Sequence, residues 1–402
     1  MLRFPVVADI RLARLPLVVA VALAAAYTLI LAVLFLRHAW IVDSAGHPFF
    51  ADFVAIWTSG HLALQGTALS AYDGHALHNA ELATIGHDAP GYLGWPYPPI
   101  YFFVAAAAAS LDFTAAFLLI GLATLAAHAL VVAAIARDRS AALFACAAPW
   151  AFAALYAGQN GFLTAALLGG ALLAIPRRPI LAGLALGLLT FKPQYGLLFP
   201  LALLADGRWR VILSALAATL ALWLLAGAVF GFATFGAFFH RLSETGQTLV
   251  VEGAVGWHKL QSVYGATRWL GGSTAVAGLL QAAATLAALA GSAVLWRSRR
   301  VFALKAAGLA AAAPLATPYV FLYDFPVLAV AVAFLYRERP FDRIEFAALA
   351  AALACSVAAA AYAIPSGAVA VPIVLALVGR RAVSRSAMAV SPRRLLPDAL
   401  LS

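Results

Sequence analysis

Residues 17–36 read LVVAVALAAAYTLILAVLFL, an uncharged run of twenty residues closed by Arg37-His38. At 1.5 Å per residue such a helix is ~30 Å long, the thickness of a bilayer's hydrocarbon layer. Arg3, Arg11 and Arg14 precede the run, like the leader of a signal peptide. Its apolar part is too long for one, and no small-residue cleavage site follows, so it reads as a retained anchor. Runs of the same kind recur to the far end of the chain. They account for a composition that is 65% hydrophobic and only 10% charged over 402 residues, with mean hydropathy +0.95. A water-soluble domain has roughly 25% charged residues, so a soluble fold is excluded. The ten-residue alternating segments of a β-barrel are absent, and disorder would need low hydrophobicity. Cys146 and Cys355 both fall in apolar runs, giving no disulfide framework.

The formal net charge of +10 follows from arginines clustered between apolar runs, with only three lysines in the chain. Arg297, Arg299 and Arg300, then Arg337, Arg339 and Arg343, then Arg380, Arg381, Arg385, Arg393 and Arg394 mark cytoplasmic segments by the positive-inside rule. Spans are expected near 17–36, 97–110, 112–136, 140–157, 161–176, 180–204, 211–232, 273–296, 301–316, 325–336, 344–363 and 368–379. An even number returns both termini to the cytoplasm. This path puts Arg137-Asp138-Arg139 and Arg177-Arg178 outside, against the charge rule. The alternative makes 97–136 one crossing and folds 180–204 into a hairpin at Lys192-Pro193. Its arms of twelve residues would reach only ~18 Å, and the first path is expected for that reason. Two long polar loops then lie outside, Arg37 to Pro96 and about Ala233 to Gly272. The first holds Asp43, Asp52, Asp73, Glu81, Asp88 and six of the nine histidines.

Asp52 opens a segment with Phe53, Ile56, Trp57 and Leu64 on one helical face, which predicts a short helix on the membrane surface. Its carboxylate suits either an N-cap or a base, and pattern alone favours the cap. Trp95, Tyr97 and Tyr101 fit an interfacial aromatic belt or a sugar-binding surface equally. Lys192, in Thr190-Phe191-Lys192-Pro193-Gln194-Tyr195, sits mid-span, where a lysine costs ~2.5–3.5 kcal/mol and calls for a hydrated cavity or an anionic partner. Gly158-Gln159-Asn160-Gly161 reads first as a tight turn. Asp324, after Thr317-Pro318-Tyr319 and beside Tyr323, suits a cap for the helix opening at Phe325-Pro326 or a second outward acid. His258, Lys259 and Arg268 add cations to the second loop. His75-x-x-His78 lacks a third close ligand, so no metal site is expected. Nucleotide-binding loops and the G-x-S-x-G elbow are missing too.

An outward carboxylate, an embedded lysine and interfacial aromatics suit sugar transfer from a lipid-linked phosphate. The leaving phosphate needs a cation rather than an acid, and the acceptor hydroxyl needs one base. In order along the chain stand Asp52-Phe53, Gln65-Gly66 with Ala71-Tyr72-Asp73, Trp95-Pro96-Tyr97-Pro98-Pro99, Gly158-Gln159-Asn160, Phe191-Lys192-Pro193-Gln194, Trp257-His258-Lys259-Leu260-Gln261-Ser262, and Thr317-Pro318-Tyr319 with Tyr323-Asp324. Together these words resemble glycosyltransferase family 87, the polyprenyl-phosphate-mannose-dependent mannosyltransferases of the integral-membrane C-type superfamily. The resemblance implies an inverting transfer with Asp52 as catalytic base and no nucleotide sugar or obligatory metal. It makes Lys192, His258, Lys259 and Arg268 candidates for the donor phosphate. Trp95, Tyr97, Gln159, Asn160, Gln194, Tyr319, Tyr323 and Asp324 become candidates around sugar and lipid. Some relatives carry a histidine where this chain has Tyr323.

The expectation is therefore an all-α, polytopic transmembrane bundle of about twelve helices with a large first extracytoplasmic loop. Residues 1–380 form one glycosyltransferase domain and 381–402 a basic cytoplasmic tail. It would sit in a bacterial inner membrane and move a hexose, with mannose the first choice, to a glycan or glycolipid acceptor, without a cofactor and without nucleic acid. The rival is a transporter or lipid flippase, although no second Phe-Lys-Pro repeats the interrupted span in the C-terminal half.

Overall fold

The computed structural model describes residues 6–89 and 93–389; Arg3, Gly91, Tyr92, Arg393 and Arg394 lie outside them. Regular structure among the described residues is helical. It begins with α1 (Val6–Leu36), α2 (Asp52–Leu64), α3 (Gly74–Ile85), α4 (Phe102–Ala109), α5 (Phe113–Ala136), α6 (Ser140–Ala147), α7 (Pro149–Ala157), α8 (Gly161–Ala174) and α9 (Pro179–Leu189). There follow α10 (Phe199–Ala205), α11 (Trp209–Phe230), α12 (Ala233–Thr245), α13 (Val263–Trp269), α14 (Thr274–Arg297), α15 (Phe302–Ala312), α16 (Pro326–Glu338), α17 (Arg343–Tyr362) and α18 (Gly367–Ala389). Most of α1 together with α5, α11, α14, α17 and α18 is long and apolar enough to cross a bilayer. The pair α6–α7 is bent by 63° at Ala148-Pro149 and reaches that length only when its two helices are taken together. The polytopic helical bundle is as expected.

Its path between residues 97 and 205 is not. Ser214 Oγ on α11 donates to the carbonyl of Pro179 at the start of α9 (3.2 Å), and Trp223 Nε1 donates to Thr190 Oγ1 at its end (3.3 Å). Helices α9 and α11 therefore run side by side in the same direction, so the chain must return between them. It does so at Lys192-Pro193. Residues 180–204 form the hairpin that the length argument rejected, and the reason is visible at its tip. Short arms fail only if the turn has to reach water on the far side; here Phe191, Lys192 and Tyr195 at the turn are buried in protein, where irregular backbone can be satisfied. Helix α4, about 12 Å long, also does not cross. Trp57 Nε1 of α2 bonds the Leu111 carbonyl just beyond it (3.2 Å), and Phe53 of α2 packs on Phe113 at the start of α5. Where one span was expected at 97–110 there is a short helix that does not cross, and where one was expected at 180–204 there are the two arms of a hairpin.

The corrected path gathers the basic loops at one end. Tyr336 at the foot of α16 bonds Asp138 (3.3 Å), and Arg337 is close enough to feel Arg137 and Arg177. Lys305 is buried, bonding Asp206 (2.6 Å) and the Trp296 carbonyl (2.7 Å), which ties α10, α14 and α15 together there. Arg381 is buried against Glu345 and Glu338, locking α18 onto α17 and α16. Helix α18 continues through residue 380, and residues 390–402 of the expected tail lie outside the described residues.

Alanine and glycine set the packing. Residues Leu304 to Ala312 of α15 are all buried, so this alanine-rich helix is surrounded, as small side chains allow. A Cβ on Gly183 would come within 1.9 Å of Ser214 Oγ, and one on Gly187 within 2.6 Å of Ala218 Cβ, so those two glycines permit the α9–α11 contact. Helix α8, at about 21 Å, is shorter than its long neighbours, and α9, α10, α15 and α16 are shorter still. The first polar loop packs onto the end opposite the basic loops, where Gln159 meets Asp52 and Gly158 lies against Phe53. Helix α2 was expected on the membrane surface, yet Phe53, Val54, Ala55, Ile56, Thr58, Ser59, Gly60 and Ala63 are all buried. Gly60 lets the Ala105 carbonyl of α4 approach to where its Cβ would stand, which encloses α2 in protein.

Candidate active site

The end opposite the basic loops collects residues from all seven sequence words, which are far apart in the chain. Asp52 is the first residue of α2, but the residue before the helix is Ala51 and no side chain caps it. The Asp52 carboxylate instead accepts a hydrogen bond from Gln159 Nε2 at 2.9 Å. Gln159 Oε1 accepts from the Tyr97 hydroxyl (3.1 Å), and the Tyr97 carbonyl accepts from the Tyr72 hydroxyl (2.8 Å). A chain of hydrogen bonds therefore holds Asp52 from behind. Gly158 makes this possible: it ends α7 in the left-handed conformation (φ 64°), which glycine adopts without strain, and reverses the chain so that Gln159 faces α2. The tight turn read from the sequence is present, and its side chains are part of the site.

Asn160, the next residue, leads to the lysine. Its Oδ1 accepts from Lys192 Nζ at 3.0 Å, and Lys192 Nζ also bonds Asp324 Oδ1 in a buried ion pair. Asp324 Oδ2 accepts from the Phe321 N–H (3.0 Å), so this carboxylate closes its own loop rather than capping α16. The ammonium stands 5.5 Å from the centre of the Tyr195 ring and 5.7 Å from that of Tyr323. Lys192 is at the tip of the hairpin, not halfway along a span, and its anionic partner is a residue of this chain. Gly161 carries the registry between the two halves. A Cβ there would lie 1.7 Å from the Tyr323 carbonyl oxygen, so only glycine lets α8 start against the Tyr323-Asp324 loop.

Burial raises the pKa of Asp52; the hydrogen bond from Gln159 and the positive charges of Lys259 and Lys192 pull it back, and Asp324 adds to the rise. Asp52 stays partly exposed. A carboxylate so balanced is ionisable, reachable and more basic than an ordinary aspartate, the condition of a useful general base. Lys259 is exposed and has no ion-pair partner among the described residues. It is held near Asp52 by the end of its own motif. Buried Gln261 donates to the His258 carbonyl (2.6 Å), accepts from the Gly367 N–H (2.8 Å), and its N–H bonds the Val320 carbonyl (2.7 Å). Sequence reasoning gave Gln261 no role, yet these bonds, with a fourth from its Nε2 to the Ile364 carbonyl (3.4 Å), fix the loop that carries His258 and Lys259.

Other candidates are placed differently. Trp95 is fully buried, stacked on Tyr101 (5.7 Å) and Phe102 (5.0 Å), and supports the floor of the site. Arg268 covers the Trp257 ring at 4.5 Å and bonds the Gly272 carbonyl (3.0 Å). Gln194 is half-buried just past the hairpin tip. The Tyr319 hydroxyl lies against Gly246 in the second loop, and Tyr323 stacks on Phe321 at 5.1 Å.

No curated protein matches this chain, and no solved structure does. A family model does match, that of glycosyltransferase family 87, over residues 95–318. The match takes in the Tyr97, Gln159-Asn160, Lys192 and Lys259 words and starts after Asp52, whose place beside them rests on the hydrogen bond from Gln159. With more than half of its length covered, and with an all-helical membrane fold that brings those words together, the chain belongs to glycosyltransferase family 87 and is a membrane glycosyltransferase.

Proposed function

We propose that this protein transfers a hexose, with mannose the first choice, from a polyprenyl-phosphate donor to a hydroxyl of a glycan or glycolipid, with inversion at the anomeric carbon. The observation that carries the reading is the continuity from Asp52 through Gln159-Asn160 to Lys192 and Asp324, with Lys259 alongside. Asp52 takes the proton of the acceptor hydroxyl as its oxygen attacks the anomeric carbon. The bond from that carbon to the phosphate oxygen breaks on the opposite face, and the electron pair leaves with the polyprenyl phosphate. Attack and departure share one oxocarbenium-like transition state, and it needs no second carboxylic acid, since phosphate is already a weak base.

The cation that meets the leaving phosphate is assigned to Lys259, with His258 beside it. Lys192 already neutralises Asp324, so its main part is to hold the Tyr323-Asp324 loop against Gly161. Arg268 supports Trp257. Tyr97, Gln159 and Asn160 orient Asp52 and the tip of the hairpin, and Gln194, Tyr319 and Tyr323 border the sugar and lipid. The basic end would face the cytoplasm of a bacterial inner membrane with both termini, and the site would face the other compartment. Purified protein mixed with polyprenyl-phosphate-mannose and candidate glycolipids should release polyprenyl phosphate and lengthen one glycolipid by a hexose, read by mass spectrometry. Movement of glycolipid across a vesicle without any change in mass would support the flippase instead.

A further inference from the structure

A cleft of about 990 Å³ opens beside the site, between the turn at Leu69 to His75 and the segment Ala237 to Thr248. Nothing in the proposed chemistry uses it. One wall presents Asp73 and His75, the other His240, Glu244 and Gln247, with the Tyr72 side chain between them. We infer that this cleft is the binding site for the glycan of the acceptor, an inference that rests on the transferase reading above.

Three observations lead there. The first is charge. Asp73 and Glu244 stand against the single guanidinium of Arg241, and Arg241 is buried and bonded to Glu244 at 2.6 Å. With the imidazoles of His75 and His240 neutral, a phosphate would meet more negative than positive charge, which disfavours the donor's head. A polyol is the complementary ligand, because its hydroxyls donate to carboxylates and accept from imidazole and amide N–H groups. The backbone N–H of Ala76 holds Asp73 below the usual carboxylate range, so it stays an acceptor. The volume suits an oligosaccharide of a few rings, at the upper end of ordinary ligand sites.

The second is position. The Tyr72 hydroxyl bonds the Tyr97 carbonyl, and Tyr97 bonds Gln159, which bonds Asp52. The wall of the cleft and the base are thus parts of one hydrogen-bonded assembly. The third is the neighbouring helix. On α12, Phe239 and Leu242 are exposed on one side with Phe232 just before them, while Phe238 and Arg241 are buried on the other. This is the pattern of a helix lying in a membrane surface. It follows α11 directly, on which Leu220, Leu224 and Val229 are also exposed. A glycan seated in the cleft would keep a lipid tail in the bilayer beside α12.

The test uses the full-length protein in nanodiscs and octyl mannoside and octyl glucoside carrying a diazirine on the sugar. Labelled peptides should map to residues 69–75 and 237–248. Ser243→Trp, which fills the cleft from an exposed position, should lower that labelling about tenfold, as should His75→Ala with His240→Ala, a loss of ~1.4 kcal/mol. Unchanged labelling in the filled variant overturns the inference. So does equal labelling by an octyl diazirine without sugar, which would make the cleft a detergent groove. Sugar transfer with no label in the cleft refutes the cleft and leaves the transferase reading intact. Sugar-dependent label in the cleft without transfer from any polyprenyl-phosphate hexose supports the cleft as a glycan site and counts against that reading.

Discussion

Replacing Gln159 by methionine keeps the length of the side chain and removes both ends of its hydrogen bonding. Asp52 then loses its 2.9 Å donor, and the Tyr97 hydroxyl loses its 3.1 Å acceptor. A hydrogen bond to a charged group contributes ~1.5–3 kcal/mol, and partial exposure of Gln159 points to the lower figure. The bond favours the ionised carboxylate, so removing it leaves burial less opposed and raises the pKa of Asp52 further. A base works only when ionised. The acid limb of kcat/KM should therefore move to higher pH in Gln159→Met, and at a fixed pH on that limb the rate should fall about tenfold, the equivalent of ~1.4 kcal/mol. The assay is hexose transfer from polyprenyl-phosphate-mannose between pH 5 and 9, with melting temperature in detergent as the check on folding. An acid limb that stays in place, or moves to lower pH, in a variant that melts normally would refute the role given to the Tyr97–Gln159–Asp52 chain.

Breaking the Lys192–Asp324 pair from either side should lower stability. Lys192→Ala or Asp324→Ala leaves a buried charge without its partner, at a cost of ~3–5 kcal/mol, whereas Lys192→Met with Asp324→Leu should recover much of it. Thermal unfolding measures both, and a single variant as stable as the wild type would contradict the pairing. Glu81 gives a pH signature. Its buried carboxyl is pushed up to about 8 by desolvation, against a weaker pull from the Leu93 N–H. A raised pKa favours the folded state while the acid is protonated, so its contribution is full below roughly pH 4.3, the unfolded value, and is lost as pH climbs to about 8. Glu81→Gln should flatten the fall in melting temperature across that window; an identical slope would contradict it.

Much of this could be read from the residues in order, because hydrophobic length is a local property. The long spans, the two long polar loops and the words around Asp52, Lys192 and Lys259 are all legible that way. The hairpin at Lys192-Pro193 was missed because a length argument assumes that a turn must reach water. The opposing evidence lay in the charges of Arg137, Arg139, Arg177 and Arg178, all of which the hairpin returns to the basic end. Pairing was invisible for a related reason. Lys192 called for an anion, and Asp324 supplies it from 132 residues further along the chain. The cap assigned to Asp52 by its pattern is absent because the helix begins one residue early, with Ala51 in the cap position, and the carboxylate meets Gln159, carried in by the turn at Gly158. Gln261 stood in the Trp257–Ser262 word but carries no charge or aromatic ring, so its anchoring role could not be told from its neighbours'. Gly161 could have been suspected, since a glycine opening a helix beside a polar turn often marks close backbone approach.

The most direct measurement is transfer by Asp52→Asn. The amide can still accept from Gln159 but cannot take a proton, so donor binding and melting temperature should match the wild type while kcat falls ~10²- to 10⁴-fold. Wild-type turnover by that variant would remove Asp52 as the base and with it the mechanism.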